Sequence, residues 1–270
     1  MGRRLTDVTA NDHCGRVVAA SVAGTSHVKL DKECEDVHGW RRLRNGLLAV
    51  ALADGAGSAL NGGEGAAIAV KAALADLVRS VEQFRGMDGE WETALLSALQ
   101  MASEAVEEHA ANSGRPIRSY ASTLLLSLIE RNRIGVAQIG DGGSVLLTGS
   151  GTLQTITRPP LTEYVNETLF LISPNAIETA QLAIFEEPLL SAAFFTDGLQ
   201  RLALKLPEGA PFPPFFSPLF KFAETVSEKE AITQLESFLQ SPRVTERTDD
   251  DLTLLLISIK QSPRRFTESC

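Results

Sequence analysis

The sequence predicts an α+β fold in which helices pack on antiparallel sheets. Three observations predict it: short runs rich in Val, Leu and Ala between glycine or polar turns, a pair of adjacent amphipathic helices, and an order of strands, helix pair, strands, helix and strand. Strict strand and helix alternation would signal a parallel doubly wound sheet, and this order lacks it. About eight or more strands and three or four helices follow. No internal repeat or linker interrupts them, so one domain is expected over residues 1–260, with roughly the first 14 residues loose and a tail at 261–270.

The elements are justified in order. "GRVVAASVAG" (15–24) and "GLLAVALAD" (46–54) read as two strands of one mostly buried sheet. The polar stretch between them, with Trp40, Arg41 and Arg42, reads as a hairpin-like excursion carrying "ECED". Ala66, Val70, Leu74, Leu77 and Val81 then recur at helical spacing and define one buried face. A second helix would bury Trp91, Leu95, Ala98, Ala102 and Ala105, with "FRGMDGE" as the turn between antiparallel neighbours. "STLLLSLIE", "RIGVAQIGD" and "SVLLTGSG" read as an antiparallel meander, and "AIETAQLAIF" and "LLSAAFFTDG" as two more strands. The prolines of "PEGAPFPPFFSP" are expected to rule out continuous regular structure there. A helix at Glu228 to Leu239 and a strand, "LTLLLISI", close the domain.

Composition narrows the function. The longest uncharged apolar runs, Leu47 to Ala53 and Leu252 to Ile259, fall far short of the roughly 20 residues of a membrane helix, so no membrane span is expected. A net charge of −9 without a long basic stripe argues against nucleic acid as a partner. Cys14, Cys34 and Cys270 are scattered and odd in number, which suits neither a disulfide framework nor zinc. A reducing cytoplasm is the expected location.

The chemistry lies in a repeated ending. "LLAVALADG" runs into Asp54 and Gly55, "IGVAQIGDGG" into Asp141 and Gly142, and "LSAAFFTDG" into Asp197 and Gly198. Glu35 and Asp36 lie between the first two strands, and Asp249, Asp250 and Asp251 lie at the mouth of the last. Any single Asp-Gly is most simply a turn. Several carboxylates brought to one core edge would repel one another and lose solvation, which calls for a cation among them. Oxygen donors without cysteine select hard ions, Mg²⁺ or Mn²⁺. The glycine after each acid lets backbone approach closely, so the Gly55 carbonyl could serve as a further ligand.

The ordered set "ECED", "ADGAGS", "ASTLLL…IGDGGSVLL", "FFTDGL" and "DDDLT" resembles the metal-dependent protein phosphatases of the type-2C class in their bacterial form, over about Gly15 to Ile259. The resemblance implies a four-layer α-β-β-α sandwich, two antiparallel sheets flanked by helix pairs. It also implies two Mn²⁺ or Mg²⁺ ions and attack by an activated water on phosphoserine or phosphothreonine. Carried over residue by residue, it implies metal ligation by Asp36, Asp54, Gly55, Asp197 and Asp250, with Asp54 bridging and with Asp54 and Asp36 acting in catalysis through the water. Asp249 and Asp251 are alternatives shifted by one residue. Asp141 matches the acid of a third, weaker metal.

Two departures stand out. The histidine that many eukaryotic members carry two residues after the bridging aspartate is Ala56 here, and the family's phosphate-binding arginine before the "ED" acids is missing. His27 and Lys29 are the basic residues placed to bind the substrate phosphate instead. The implied partners are a phosphorylated protein and a serine/threonine kinase that writes the mark. Two other readings are a small-molecule phosphate hydrolase, disfavoured by the lack of histidines at metal-ligand spacing, and an inactive regulatory protein on the same fold.

Overall fold

The computed structural model describes residues 4–7, 15–157 and 168–259. Cys14, Cys270 and the tail at 261–270 lie outside them. The chain begins with β1 (Arg4–Asp7), β2 (Arg16–Val22), the short α1 (Thr25–Lys29), β3 (Val37–Arg42) and β4 (Leu48–Ala53). The helix pair follows, α2 (Gly62–Val81) and α3 (Glu90–Ser113). Six strands come next: β5 (Leu124–Glu130), β6 (Arg133–Ile139), β7 (Gly143–Thr148), β8 (Leu153–Thr157), β9 (Gln181–Phe185) and β10 (Leu189–Phe195). After α4 (Gln200–Ala203) and a small hairpin of β11 (Leu204–Lys205) and β12 (Ala210–Pro211) stand α5 (Pro213–Thr225), α6 (Glu228–Leu239), α7 (Pro242–Thr245) and β13 (Leu252–Ser258).

Two sheets form, in the orders β1-β3-β4-β5-β6-β9 and β2-β13-β10-β7-β8. Every pairing in them is antiparallel except that of β1 with β3, so part of the expected loose start is a parallel edge strand. The period-two alternation of the strands builds the layers. In β4, Ala49, Ala51 and Ala53 face α2 and α3, while Leu48, Val50 and Leu52 face the second sheet. In β13, Leu254 and Leu256 face α5 and α6, while Leu255 and Ile257 face the first sheet. Three apolar cores thus separate four layers, helices on each outer side and two sheets between. That is the predicted α-β-β-α sandwich.

The predicted face of α2 is buried throughout. In α3 the residue buried at the end of the predicted face is Val106, and Ala105 is only half-buried beside it. Four sequence readings are corrected. First, β2 and β4 belong to different sheets, because the chain crosses the sandwich through α1. Second, Trp40, Arg41 and Arg42 are no excursion but the outer part of β3, paired with β4 from Val37↔Ala53 to Arg42↔Leu48. Third, the meander breaks after β6: Gly140, at φ +104°, lets the chain turn across to β7 in the other sheet. Fourth, the proline-rich stretch contains helix α5. Pro213 and Pro214 open it, where the amides lack intrahelical acceptors anyway. Phe215, Phe216, Leu219, Phe220 and Ala223 then supply a continuous buried face that carries the helix past Pro218.

Candidate active site

Antiparallel order explains why the acids meet. The register pairs Val37 with Ala53, Leu124 with Ile139, Leu252 with Val22 and Phe195 with Leu254, so β4, β6 and β10 end where β3, β5 and β13 begin. Each predicted acid lies one to three residues beyond such a point. Asp36, Asp54 and Asp141 therefore leave the first sheet, and Asp197 and Asp250 the second, at the same end of the sandwich.

Backbone and hydroxyl contacts fix these acids. The Asp54 amide donates to Thr123 Oγ1 at 2.9 Å, and the Thr123 amide donates back to the Asp54 carbonyl at 2.8 Å. Gly55 bridges to Ser122 and donates its amide to the Glu35 carbonyl at 3.3 Å. A Cβ at Gly55 would collide with the backbone of Gly62 and Gly63 at the start of α2, so only glycine fits there. Asp36 is 2% exposed, and its Oδ2 accepts the Thr196 hydroxyl at 2.7 Å. Thr196 Oγ1 in turn accepts the Thr253 amide at 3.0 Å, tying β10 and β13 to an acid from the other sheet. The Asp197 and Asp54 carboxyls lie close enough to act on each other electrostatically. Asp141 accepts the Thr168 hydroxyl at 2.8 Å, its carbonyl accepts Gln200 Nε2 at 2.5 Å, and its charge acts on Asp197.

The three consecutive acids separate by role. Asp251 is buried: Oδ1 accepts the Gly24 amide at 2.7 Å, Oδ2 accepts the Glu35 amide at 2.6 Å, and His27 Nδ1 lies 3.0 Å away. Asp249 fastens the same loop with its carbonyl, which accepts the Ser26 amide and hydroxyl at 2.9 and 2.6 Å. Asp250 is exposed as a residue while its carboxyl is partly enclosed among the other acids, and its Oδ1 accepts the Asp251 amide at 2.8 Å. Its charge, with those of Asp36, Asp197 and Asp141, acts on Asp54. His27 is thus held at the site by Asp251, whereas Lys29 is solvent-exposed on α1. Ala56 is buried, its amide donating to the Ala121 carbonyl at 2.9 Å.

The electrostatics are unfavourable as the acids stand. Burial, then the charges of Asp36, Asp197, Asp250 and Asp141, hold the Asp54 carboxyl well above its usual range. Burial pushes Asp36 up to about 8 and Asp197 up to about 7, and it raises Asp141, Asp250 and Glu35 as well. Asp36 Oδ1, Asp197 Oδ1 and Glu35 Oε2 are buried and, among the described residues, lack a hydrogen-bond partner. Among the described residues no three His, Cys, Asp or Glu side chains already stand close enough to chelate a metal ion. The donor set nevertheless fits a hard cation: it is all oxygen, it leaves buried acceptors unsatisfied, and its members destabilise each other's charged forms.

Comparison with known proteins decides the family. A protein-family model described as Protein phosphatase 2C matches residues 23–240. The chain is 36% identical over 251 residues to Serine/threonine-protein phosphatase 3 of Escherichia coli (strain K12), covering 89% of this chain and 97% of that protein. The chain belongs to the protein phosphatase 2C family. Solved structures support the 2C fold: a bacterial serine phosphatase aligns with a TM-score of 0.65 at 15% identity, over 92% of this chain and 99% of its own. PppA of Pseudomonas aeruginosa aligns with a TM-score of 0.59 at 20% identity, over 91% and 97%. The 2C family is metal-dependent, with Mn²⁺ or Mg²⁺. Asp36, Asp54, Asp141 and Asp197 fall inside the matched span, and the Asp249–Asp251 run lies beyond it.

Sequence reading missed the hydroxyl that joins Asp36 to both sheets and the clamp formed by Asp251. A signal for each was present. Thr196 directly precedes Asp197, and Asp251 is the one acid of the run adjacent to the apolar strand, where burial follows from position.

Proposed function

We propose that this protein is a serine/threonine protein phosphatase that hydrolyses phosphoserine and phosphothreonine in proteins with two Mn²⁺ or Mg²⁺ ions. The observation that carries the reading is the convergence of acids from both sheets on one end of the sandwich, with buried oxygens left unsatisfied. Asp36, Asp54, Asp197 and Asp250 would hold the two ions, with the Gly55 carbonyl as a further donor, and Asp141 would hold a weaker third. Bound there, the ions supply Lewis-acid activation of water and neutralise charge on the phosphoryl group.

The chain's own residues do the rest. Thr123 fixes the backbone of Asp54 on both sides, which sets the direction in which its side chain leaves the strand. Thr196 orients Asp36 by donating to one oxygen and leaves the other unengaged. Asp251 occupies His27 Nδ1 and so sets the ring, with Nε2 the nitrogen free to meet a substrate phosphate. Lys29, on the same short helix, adds positive charge toward an incoming phosphoprotein. Ala56 offers no proton, so the leaving serine or threonine oxygen takes one from solvent. A serine/threonine kinase is the implied writer of the mark, and a reducing cytoplasm the implied setting, in which Cys34 stays a free thiol.

The test is hydrolysis of an aryl phosphate and of a phosphothreonine peptide, each with chelator, Mg²⁺ or Mn²⁺. Turnover of both that vanishes in chelator and returns with either metal is expected. Metal-independent turnover, or none under any condition, would overturn the proposal.

A further inference from the structure

The opposite end of the sandwich is built differently. β2 and β3 each span about 20 Å at roughly 3.3 Å per residue, so Arg16 and Arg42 lie that far from the acids at the strands' other ends. There a cleft of about 1040 Å³ opens between the last rung of the second sheet and the junction of α5 with α6. Arg16 pairs with Ser258, and Ser258 with Ser191, so an arginine and two serines form one polar rung across β2, β13 and β10. Alternation places that rung on the helix-facing side, in line with Val18, Leu256 and Ala193. Arg42 enters from the first sheet, donating Nη2 to the Gly15 carbonyl at 2.6 Å. Lys221 of α5 lies on the rim, and Phe220, Leu153 and Val226 supply apolar wall.

Two observations point to a ligand. Arg16 Nη2 and Arg42 Nη1 are both buried, and among the described residues neither has a hydrogen-bond partner. A guanidinium remains charged at any pH the protein meets, so these donors cannot be relieved by losing a proton. Two unsatisfied cationic donors lining one cleft are a costly arrangement unless an anion completes it. Glu224 and Glu228 also line the cleft, but neither forms an ion pair with Arg16 or Arg42, and among the described residues the three cations outnumber them.

We propose that this cleft is a second, non-catalytic site that binds a small organic oxyanion, a phosphate or carboxylate carrying an apolar portion. The oxyanion satisfies Arg16 and Arg42, whose planar forks match such groups in paired hydrogen bonds. The serine rung supplies further donors, and the apolar portion lies against Phe220 and Leu153. The volume suits a ligand larger than a bare ion.

The test uses the full chain in chelator, where the uncompensated acids at the other end repel anions. Thermal melts are recorded with inorganic phosphate and with phenyl phosphate, against chloride at matched ionic strength. Both phosphates are expected to raise the melting temperature, phenyl phosphate at lower concentration, and Arg16→Gln is expected to abolish the rise. No rise in the native protein, or an equal rise in Arg16→Gln, would overturn the site. Should Arg16→Gln not fold, Lys221→Glu on the exposed face of α5 serves in its place: a weaker phosphate effect supports the site, and an unchanged one refutes it. Because the readout is binding in chelator, its failure is distinct from failure of the phosphatase reading.

Discussion

The two ends of the sandwich share the same strands and carry opposite charges. At one end β3, β4, β10 and β13 meet Asp36, Asp54, Asp197 and Asp250; at the other β2 and β3 present Arg16 and Arg42. Between them the strands are alike, Val, Leu and Ala on both faces, and they serve as a rigid spacer. The difference teaches that the core sets where the strand tips arrive, and the tip residues set what arrives with them. Both ends leave buried polar atoms unsatisfied, acceptors at one and donors at the other. Each therefore has the chemistry to receive a ligand of the opposite sign, which is what the two proposals assign to it.

The largest expected effect breaks the acid end. Asp54→Asn or Asp197→Asn should lower kcat/KM on a phosphothreonine peptide by more than the roughly 10–100-fold typical of losing a partner outside the ligand set. Circular dichroism and the melt of each variant without metal should match or exceed those of the native chain, because each change removes a repelling charge. A variant that keeps its rate would show that the acid in question is no ligand.

The next effect is on pH dependence. In the folded, metal-free protein burial pushes the Asp36 carboxyl up to about 8 and the Asp197 carboxyl up to about 7, far above the ordinary carboxylate value. A raised carboxyl means that the folded state binds more protons than the unfolded one between about pH 4 and 8, so stability falls as pH rises through that window. The metal-free melting temperature should therefore drop steadily from pH 5 to pH 8, and saturating Mg²⁺ or Mn²⁺ should restore most of it at pH 8. A flat profile would mean that the acids do not share one poorly solvated space. The arginine end adds no slope in this range, since guanidinium does not titrate there.

How much of this was legible in the sequence follows from which interactions are local. The strand tips could be read because an apolar run stopped by Asp-Gly is a local pattern, and α2 because its spacing is local too. Which sheet each strand joins could not be read. β2 and β4 look alike in composition, and only the pairing of β2 with β13, more than 200 residues away, separates them. α5 was hidden because proline at a helix start and proline as a breaker look the same until the buried phenylalanine face is seen against the second sheet. The acid run before β13 left a choice of three, because adjacent residues differ only in direction. Contacts with Gly24, His27 and Glu35, remote in sequence, fix where the Asp251 carboxyl points.

The smallest effect sharpens the comparison within the acid end itself. Asp250 and Asp251 are neighbours, yet one has its charge opposed by burial and the other has its charge satisfied by two amides and an imidazole. Asp251→Asn puts an N–H₂ where an acceptor is needed and leaves a buried amide of Gly24 or Glu35 without a partner, a loss of about 1–3 kcal/mol. Asp250→Asn keeps the Oδ1 that receives the Asp251 amide and removes only an unwelcome charge, so its stability should hold while its activity at limiting Mn²⁺ falls. Urea unfolding of the two variants, beside rates measured across a metal titration, separates the roles. If Asp250→Asn is the one that loses stability and Asp251→Asn the one that needs more metal, the two assignments are exchanged. The acid that leads into β13 would then be a ligand, not a clamp.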